Sequence, residues 1–197
     1  MEEPGCEVRL FFLSFIPNSN LPTFTETKIN RLMKNKIQEY FELEELICPH
    51  VSAHFGEKAW DFIDDRLLET LYVIRKSIGQ PVYVNNWSYG GKLTQRGIRC
   101  NICDLVKVKT QNDKVYMSAH NQGEAVDFSV KGMTANEVRL WLIKNQVLLP
   151  FPIRLEVGFN PHGKTEAQIR EAVMQDTMNW VHLDLRGEGQ KITYFKG

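Results

Sequence analysis

The sequence predicts an α+β fold, a small and mostly antiparallel sheet with flanking helices. Short segments of alternating apolar and polar residues recur in the second half of the chain, each long enough for one strand. Between them lie stretches with helical apolar spacing that open on their own capping signals. A length of 197 residues, 43% hydrophobic and 24% charged, suits one domain, or one domain with an ordered appendage.

Residues 1–36 read as an irregular lead-in or docking arm, with Pro17, Pro22 and threonines at 23, 25 and 27. The domain proper is expected over residues 37–197, with no internal repeat. Residues 59–79 carry Trp60, Ile63, Leu67, Leu71, Ile74 and Ile78 at helical spacing and stop at Gly79. "PVYVNNW" (81–87) reads as a strand that starts at a proline, a position strands tolerate. Residues 88–117 are polar and glycine-containing, with a short hairpin expected around "TQNDKVYM". "AVDFSV" (125–130) alternates, with Val126, Phe128 and Val130 on one face and Ala125, Asp127 and Ser129 on the other. "TANEVRLWLIKNQ" is a helix opened by a capping box of Thr134 and Glu137, and "TEAQIREAVMQ" a shorter one boxed by Thr165 and Gln168. "PIRLEV" (152–157) and "NWVHLDL" (179–185) are strands, and "KITYF" adds an edge strand.

Composition excludes some roles. Twenty-four basic residues balance twenty-four acidic ones, so no global field favours nucleic acid or an anionic membrane. The apolar run from Val8 to Ile16 is interrupted by Arg9 and Ser14 and falls short of the about 20 residues that a membrane span needs. Glu2 and Glu3 stand where a secretory signal carries positive charge, so the expected place of synthesis and residence is a cytoplasm. Four cysteines are too few for a disulfide scaffold and read as reduced thiols or metal ligands.

"SAHNQGEAVDF" (118–128) places His120 on the turn before a strand, Gly123 where the backbone must curl back, and Asp127 on the strand's polar face. In "NWVHLDL", Trp180, His182 and Asp184 share one face, while Val181, Leu183 and Leu185 supply the core. Two imidazoles and a carboxylate are a recurring zinc set that leaves a fourth position for water, the arrangement of amide hydrolysis. The alternative is structural: a strand histidine with one hydrogen bond, and an aspartate that forms a turn. A second group, Cys48 and His50 in "CPH" with Cys100 and Cys103 in "CNIC", has the donors to close a structural zinc site pinning the long loop to the first helical segment, or else remains as buried free thiols.

The pattern Ser-x-His-x-x-Gly-x-Ala-x-Asp followed by Trp-x-His, met at Ser118, His120, Gly123, Ala125, Asp127, Trp180 and His182, resembles that of the zinc D-Ala-D-Ala carboxypeptidase family. That family includes dipeptidases of vancomycin resistance and L-alanyl-D-glutamate endopeptidases of phage lysins, and shares its fold with the hedgehog signalling domain. The resemblance covers residues 40–186 and implies zinc held by His120, Asp127 and His182. It also implies hydrolysis of amide bonds in peptidoglycan stems or crosslinks. An enzyme of this kind without an export signal would reach the wall after release, as a phage lysin does, or as part of a virion.

The chain departs from the family where a carboxylate often precedes the last histidine by three residues, since Asn179 stands there and cannot act as a base. Glu156 is the first candidate for the proton shuttle. Asp176, whose place resembles that of the acidic residue in hedgehog-type sites, is the second. Asp184 fits a partner that orients a ligand imidazole. Arg96 or Arg99, with Ser118, would hold the substrate, and Trp87, Tyr89 and Trp180 could wall a groove for a peptide. Asn179 keeps a second function open: a zinc-binding module, without hydrolysis, that recognises wall peptides or serves as a structural phage component docked through residues 1–36.

Overall fold

The computed structural model describes residues 34–111 and 114–197. The apolar run at Val8–Ile16, Cys6 and nearly all of the expected docking arm lie outside these residues, as does the centre of the expected hairpin. The chain passes through α1 (Leu43–Leu46), α2 (Pro49–Phe55), a 3-10 segment (Gly56–Phe62), α3 (Asp65–Ile78), β1 (Val82–Tyr83), a 3-10 turn (Trp87–Tyr89) and α4 (Asp104–Lys107). Then follow β2 (Ala125–Val130), α5 (Ala135–Lys144), a 3-10 turn (Gln146–Leu148), β3 (Ile153–Glu156), α6 (Glu166–Met174), β4 (Val181–Asp184) and β5 (Ile192–Phe195). The five strands form one sheet in the order β1-β2-β4-β3-β5, antiparallel except for the pairing of β5 with β3. The α+β class and the mostly antiparallel sheet are therefore as the sequence predicts.

Capping residues explain the helix limits. Asp64 accepts the Arg66 amide at 2.8 Å, so α3 begins at Asp65, six residues later than the periodicity from Ala59 predicts. The preceding apolar positions sit on the 3-10 segment instead, which still buries Trp60 and Ala59. Gly79, at φ 70°, closes α3 with its amide on the Arg75 carbonyl. Both expected capping boxes form, Thr134 with Glu137 on α5 and Thr165 with Gln168 on α6.

The expected strand over 81–87 shrinks to Val82–Tyr83 because Asn85 leaves the sheet. Its amide nitrogen donates to the Ile47 carbonyl, its backbone N–H to the Glu45 carbonyl, and its Oδ1 accepts the Arg96 amide. Among the described residues, no strand flanks the centre of the expected hairpin, which itself lies outside them.

The sheet has two unlike faces. Val126, Phe128, Val181, Leu183, Ile153 and Leu155 join Leu67, Leu71 and Ile74 of α3 and Val138, Leu142 and Ile143 of α5 in one apolar core. At about 25 cal/mol per Å² of apolar surface removed from water, this face dominates the drive to fold. The opposite face carries Asp127, His182, Asp184, Arg154 and Glu156, brought abreast by the pairings Asp127↔His182 and Arg154↔Asp184. None of the helices in the described residues is long and apolar enough to cross a membrane.

Candidate metal centre

The polar face floors an open cleft of about 590 Å³. Three ligand atoms converge there. His120 Nε2 lies 3.2 Å from His182 Nδ1 and 3.4 Å from Asp127 Oδ1, and His182 Nδ1 is 2.7 Å from the same oxygen. A tetrahedral zinc with N and O ligands at about 2.0–2.1 Å requires ligand-to-ligand edges of about 3.3–3.4 Å. Two edges already fit, and the third must open by about 0.6–0.7 Å from a hydrogen bond between His182 and Asp127. The donor set expected from the sequence is therefore brought together as a group that could hold a metal ion.

Local structure fixes each ligand. Gly123 has φ +73°, and a Cβ there would meet the Phe62 carbonyl at 2.0 Å, so only glycine lets the turn that carries His120 pack against the 3-10 segment. His120 is buried, and its Nδ1–H donates to the Gly97 carbonyl at 2.8 Å, which leaves the Nε2 lone pair facing the cleft. Asp127 and His182 are set opposite each other by the β2–β4 register. The second oxygen of Asp127 accepts from Arg99, while Asp184 lies 3.6 Å from His182 Nε2 and is held bidentately by Arg154 at 2.9 and 2.7 Å.

These contacts separate the two imidazoles electrostatically. Burial holds the His120 pKa below the ordinary histidine value despite Asp127. Burial also opposes charge on His182, but hydrogen bonds to Asp127 and Asp184 outweigh it and lift that pKa to about 9. Although burial disfavours the Asp127 carboxylate, the two imidazoles hold it well below the usual range, and His182 with Arg154 does the same for Asp184.

The sequence candidates for proton transfer separate cleanly. Glu156 lines the cleft on β3, two residues from Arg154 on the same face. Asp176 does not reach it: its carboxylate accepts the Gly158 and Met178 amides at 2.7 and 3.0 Å and, with Asn179, borders a separate hollow of about 320 Å³. A carboxylate engaged by two amides outside the cleft cannot serve the metal triad. The arginines divide as well. Arg99 is tied to Asp127, whereas the Arg96 guanidinium bonds the Ser129 hydroxyl at 2.9 Å and, among the described residues, forms no ion pair. Ser118 lines the cleft, with its hydroxyl donating to Asn121 Oδ1. Trp180, 37% exposed, forms part of the wall, while Trp87 and Tyr89 lie elsewhere, Trp87 donating to the Ile47 carbonyl.

Three contributors were not foreseen. Arg154 follows from the alternation of "PIRLEV", which puts it beside Glu156 on the polar face. Gly97 had no local signal, yet a Cβ there would strike the Leu46 carbonyl at 2.0 Å. Arg139, fully buried in α5, donates to the carbonyls of Glu156, Met178 and Trp180 at 3.2, 3.3 and 2.6 Å and so staples the ends of β3 and β4 behind the cleft.

The second donor group also converges. Cys48, His50, Cys100 and Cys103 offer four ligand atoms within 4.8 Å of one another, a group that could hold a metal ion. A hydrogen bond from the Cys103 thiol draws the Cys48 thiol down, and Cys103 is held up in return. No protein-family model, curated protein or solved structure matches the chain.

Proposed function

We propose that this protein is a zinc-dependent hydrolase of amide bonds in peptidoglycan peptides. The observation that supports it is the convergence of His120, Asp127 and His182 on the floor of an open cleft that Glu156 also lines. Three protein ligands with a free fourth position are the mark of catalytic rather than structural zinc. Zinc bound there would acidify a water and polarise a carbonyl.

The chain's own residues supply the rest. Arg99 holds Asp127, Gly97 fixes the His120 tautomer and Asp184 faces the far nitrogen of His182, so the ligands are oriented before substrate arrives. Glu156 takes the proton from the attacking water and passes it to the leaving amine. Arg96, partly buried and bonded to the Ser129 hydroxyl, binds a substrate carboxylate or the carbonyl oxygen, and Trp180 forms a flat apolar wall. The peptidoglycan assignment rests on the motif shared with the D-Ala-D-Ala carboxypeptidases, and the wall would be reached by release from the cell or on a virion.

The test is a digest of purified crosslinked peptidoglycan read by mass spectrometry. Expected are new fragments that vanish with chelator and return with zinc, their masses naming the bond. Intact peptidoglycan after incubation with folded, zinc-loaded protein would overturn hydrolysis and leave a wall-peptide-binding module.

A further inference from the structure

We infer that Cys48, His50, Cys100 and Cys103 hold a second zinc ion, a structural one, which fastens the loop carrying Arg99 and Gly97 to the start of α2. The inference does not depend on the hydrolase reading, because none of the four residues lines the cleft.

The backbone brings the four together before any metal is considered. Ile47 and Ile98 form a parallel bridge, with the Ile98 amide on the Leu46 carbonyl at 2.9 Å and the Cys48 amide on the Ile98 carbonyl at 3.0 Å. Two segments that run side by side in this way carry Cys48 and Cys100 forward together. Pro49 opens α2 immediately after Cys48, and the first turn of that helix presents His50. The Cys103 amide folds back on the Cys100 carbonyl at 3.2 Å, so the Cys-x-x-Cys turn places both of its sulfurs on one side.

Three of the edges match those of a tetrahedral zinc site, and Cys48 lies within 4.8 Å of the same atoms. Zinc–sulfur bonds of about 2.3 Å and zinc–nitrogen bonds of about 2.0–2.1 Å imply tetrahedral edges of about 3.8 Å between sulfurs and about 3.6 Å from sulfur to nitrogen. Cys100 Sγ lies 3.6 Å from Cys103 Sγ, and each of these sulfurs is 3.6 Å from His50 Nδ1. A disulfide is excluded at that separation, since bonded sulfurs are about 2.05 Å apart. Thiols that pack merely as small apolar groups have no reason to surround an imidazole nitrogen. Cys48 and Cys103 are buried, and four protein ligands leave no open position. Three thiolates with one imidazole favour zinc over the oxygen-seeking divalent ions.

The consequence lies within three residues of Cys100. Gly97 accepts the His120 imidazole, and Arg99 holds Asp127 and donates its backbone amide to the His120 carbonyl at 3.4 Å. Both contacts belong to the segment whose far end is tied by Cys100 and Cys103, so the structural ion stiffens the outer support of the cleft ligands.

The full chain should bind two zinc ions, and His120→Ala with His182→Ala should reduce that to one. Replacement of zinc by cobalt(II) in the unaltered chain should produce intense thiolate-to-metal absorption that persists in the double histidine variant. Cys100→Ser with Cys103→Ser should remove that absorption while leaving the weaker absorption of the cleft site. If the variant does not fold, the cobalt spectrum of the unaltered chain decides alone: absence of thiolate bands in folded, cobalt-loaded protein overturns the inference. So does complete loss of zinc from folded protein when His120 and His182 are replaced. Failure of peptidoglycan digestion touches neither readout.

Discussion

On the cleft floor two imidazoles and a carboxylate stand on adjacent strands and the turn before them, backed by Arg99, Asp184 and Arg154. At the other end of the 97–103 segment, three thiols and an imidazole converge from a helix start and a tight turn. The first set has three ligand atoms that border an open cleft; the second has four, with Cys48 and Cys103 buried, Cys100 half-buried and His50 exposed. The difference lies in ligand count and in what surrounds it. In the first set burial lowers the pKa of His120, while at His182 it is outweighed by hydrogen bonds to Asp127 and Asp184 that raise the pKa, whereas the second set is a knot of soft donors that ties two stretches of backbone. On the proposed reading, a single domain presents one metal for chemistry and holds another for shape, with strand register building the first site and loop contacts the second.

The comparison breaks most visibly at the cleft. Replacing His120 and His182 by alanine should lower amide hydrolysis by about a thousandfold or more, as the loss of several kcal/mol of transition-state stabilisation implies. Next in size is Glu156→Gln, expected to reduce kcat by about 10²–10⁴-fold with zinc content unchanged. Asp176→Asn should leave kcat within about twofold, as its carboxylate serves backbone amides away from the cleft. Equal losses for the two would refute the assignment of Glu156.

A smaller effect separates scaffold from chemistry. Arg139→Met should cost about 2–4 kcal/mol in urea unfolding, since three carbonyls and Asn136 lose a buried donor. The thiolate absorption of the cobalt-loaded protein should not change.

The smallest effect is a pH dependence. In metal-free protein, the His182 pKa of about 9 exceeds the ordinary 6.5, so its stabilising charge is fully present below pH 6.5 and lost as pH rises through about 9. Metal uptake runs the other way, because the proton must leave Nδ1: cleft affinity should rise about tenfold per pH unit up to about pH 9. Unfolding curves and metal titrations at several pH values measure the two trends, and a cleft affinity that is flat with pH would contradict the charged imidazole.

Much of the cleft was legible because strand alternation is a local rule. The spacing of His182 and Asp184, and of Asp127 on its own strand, assigns each to a polar face without knowledge of the partner strand. Capping boxes at Thr134 and Thr165 are equally local, and both form. The start of α3 was misjudged because apolar periodicity persists through a 3-10 segment, and the Asp64 cap alone decides where the α-helix begins. The strand from Pro81 was overextended because Asn85 bonds to residues that are far away in the chain.

By itself, the sequence determined which residues face a core, where two helices start, and which donors are available to metal. Each of these follows from the chemistry of residues within a few positions of one another. Tertiary structure decided the roles. Arg96 and Arg99 are three residues apart and alike in type, yet one is paired with Asp127 and the other is not. Glu156 and Asp176 are both carboxylates near the last strands, yet only the first lines the cleft. Which partner a side chain meets depends on strand order and on the paths of loops, and these are set by contacts between residues that the sequence leaves far apart.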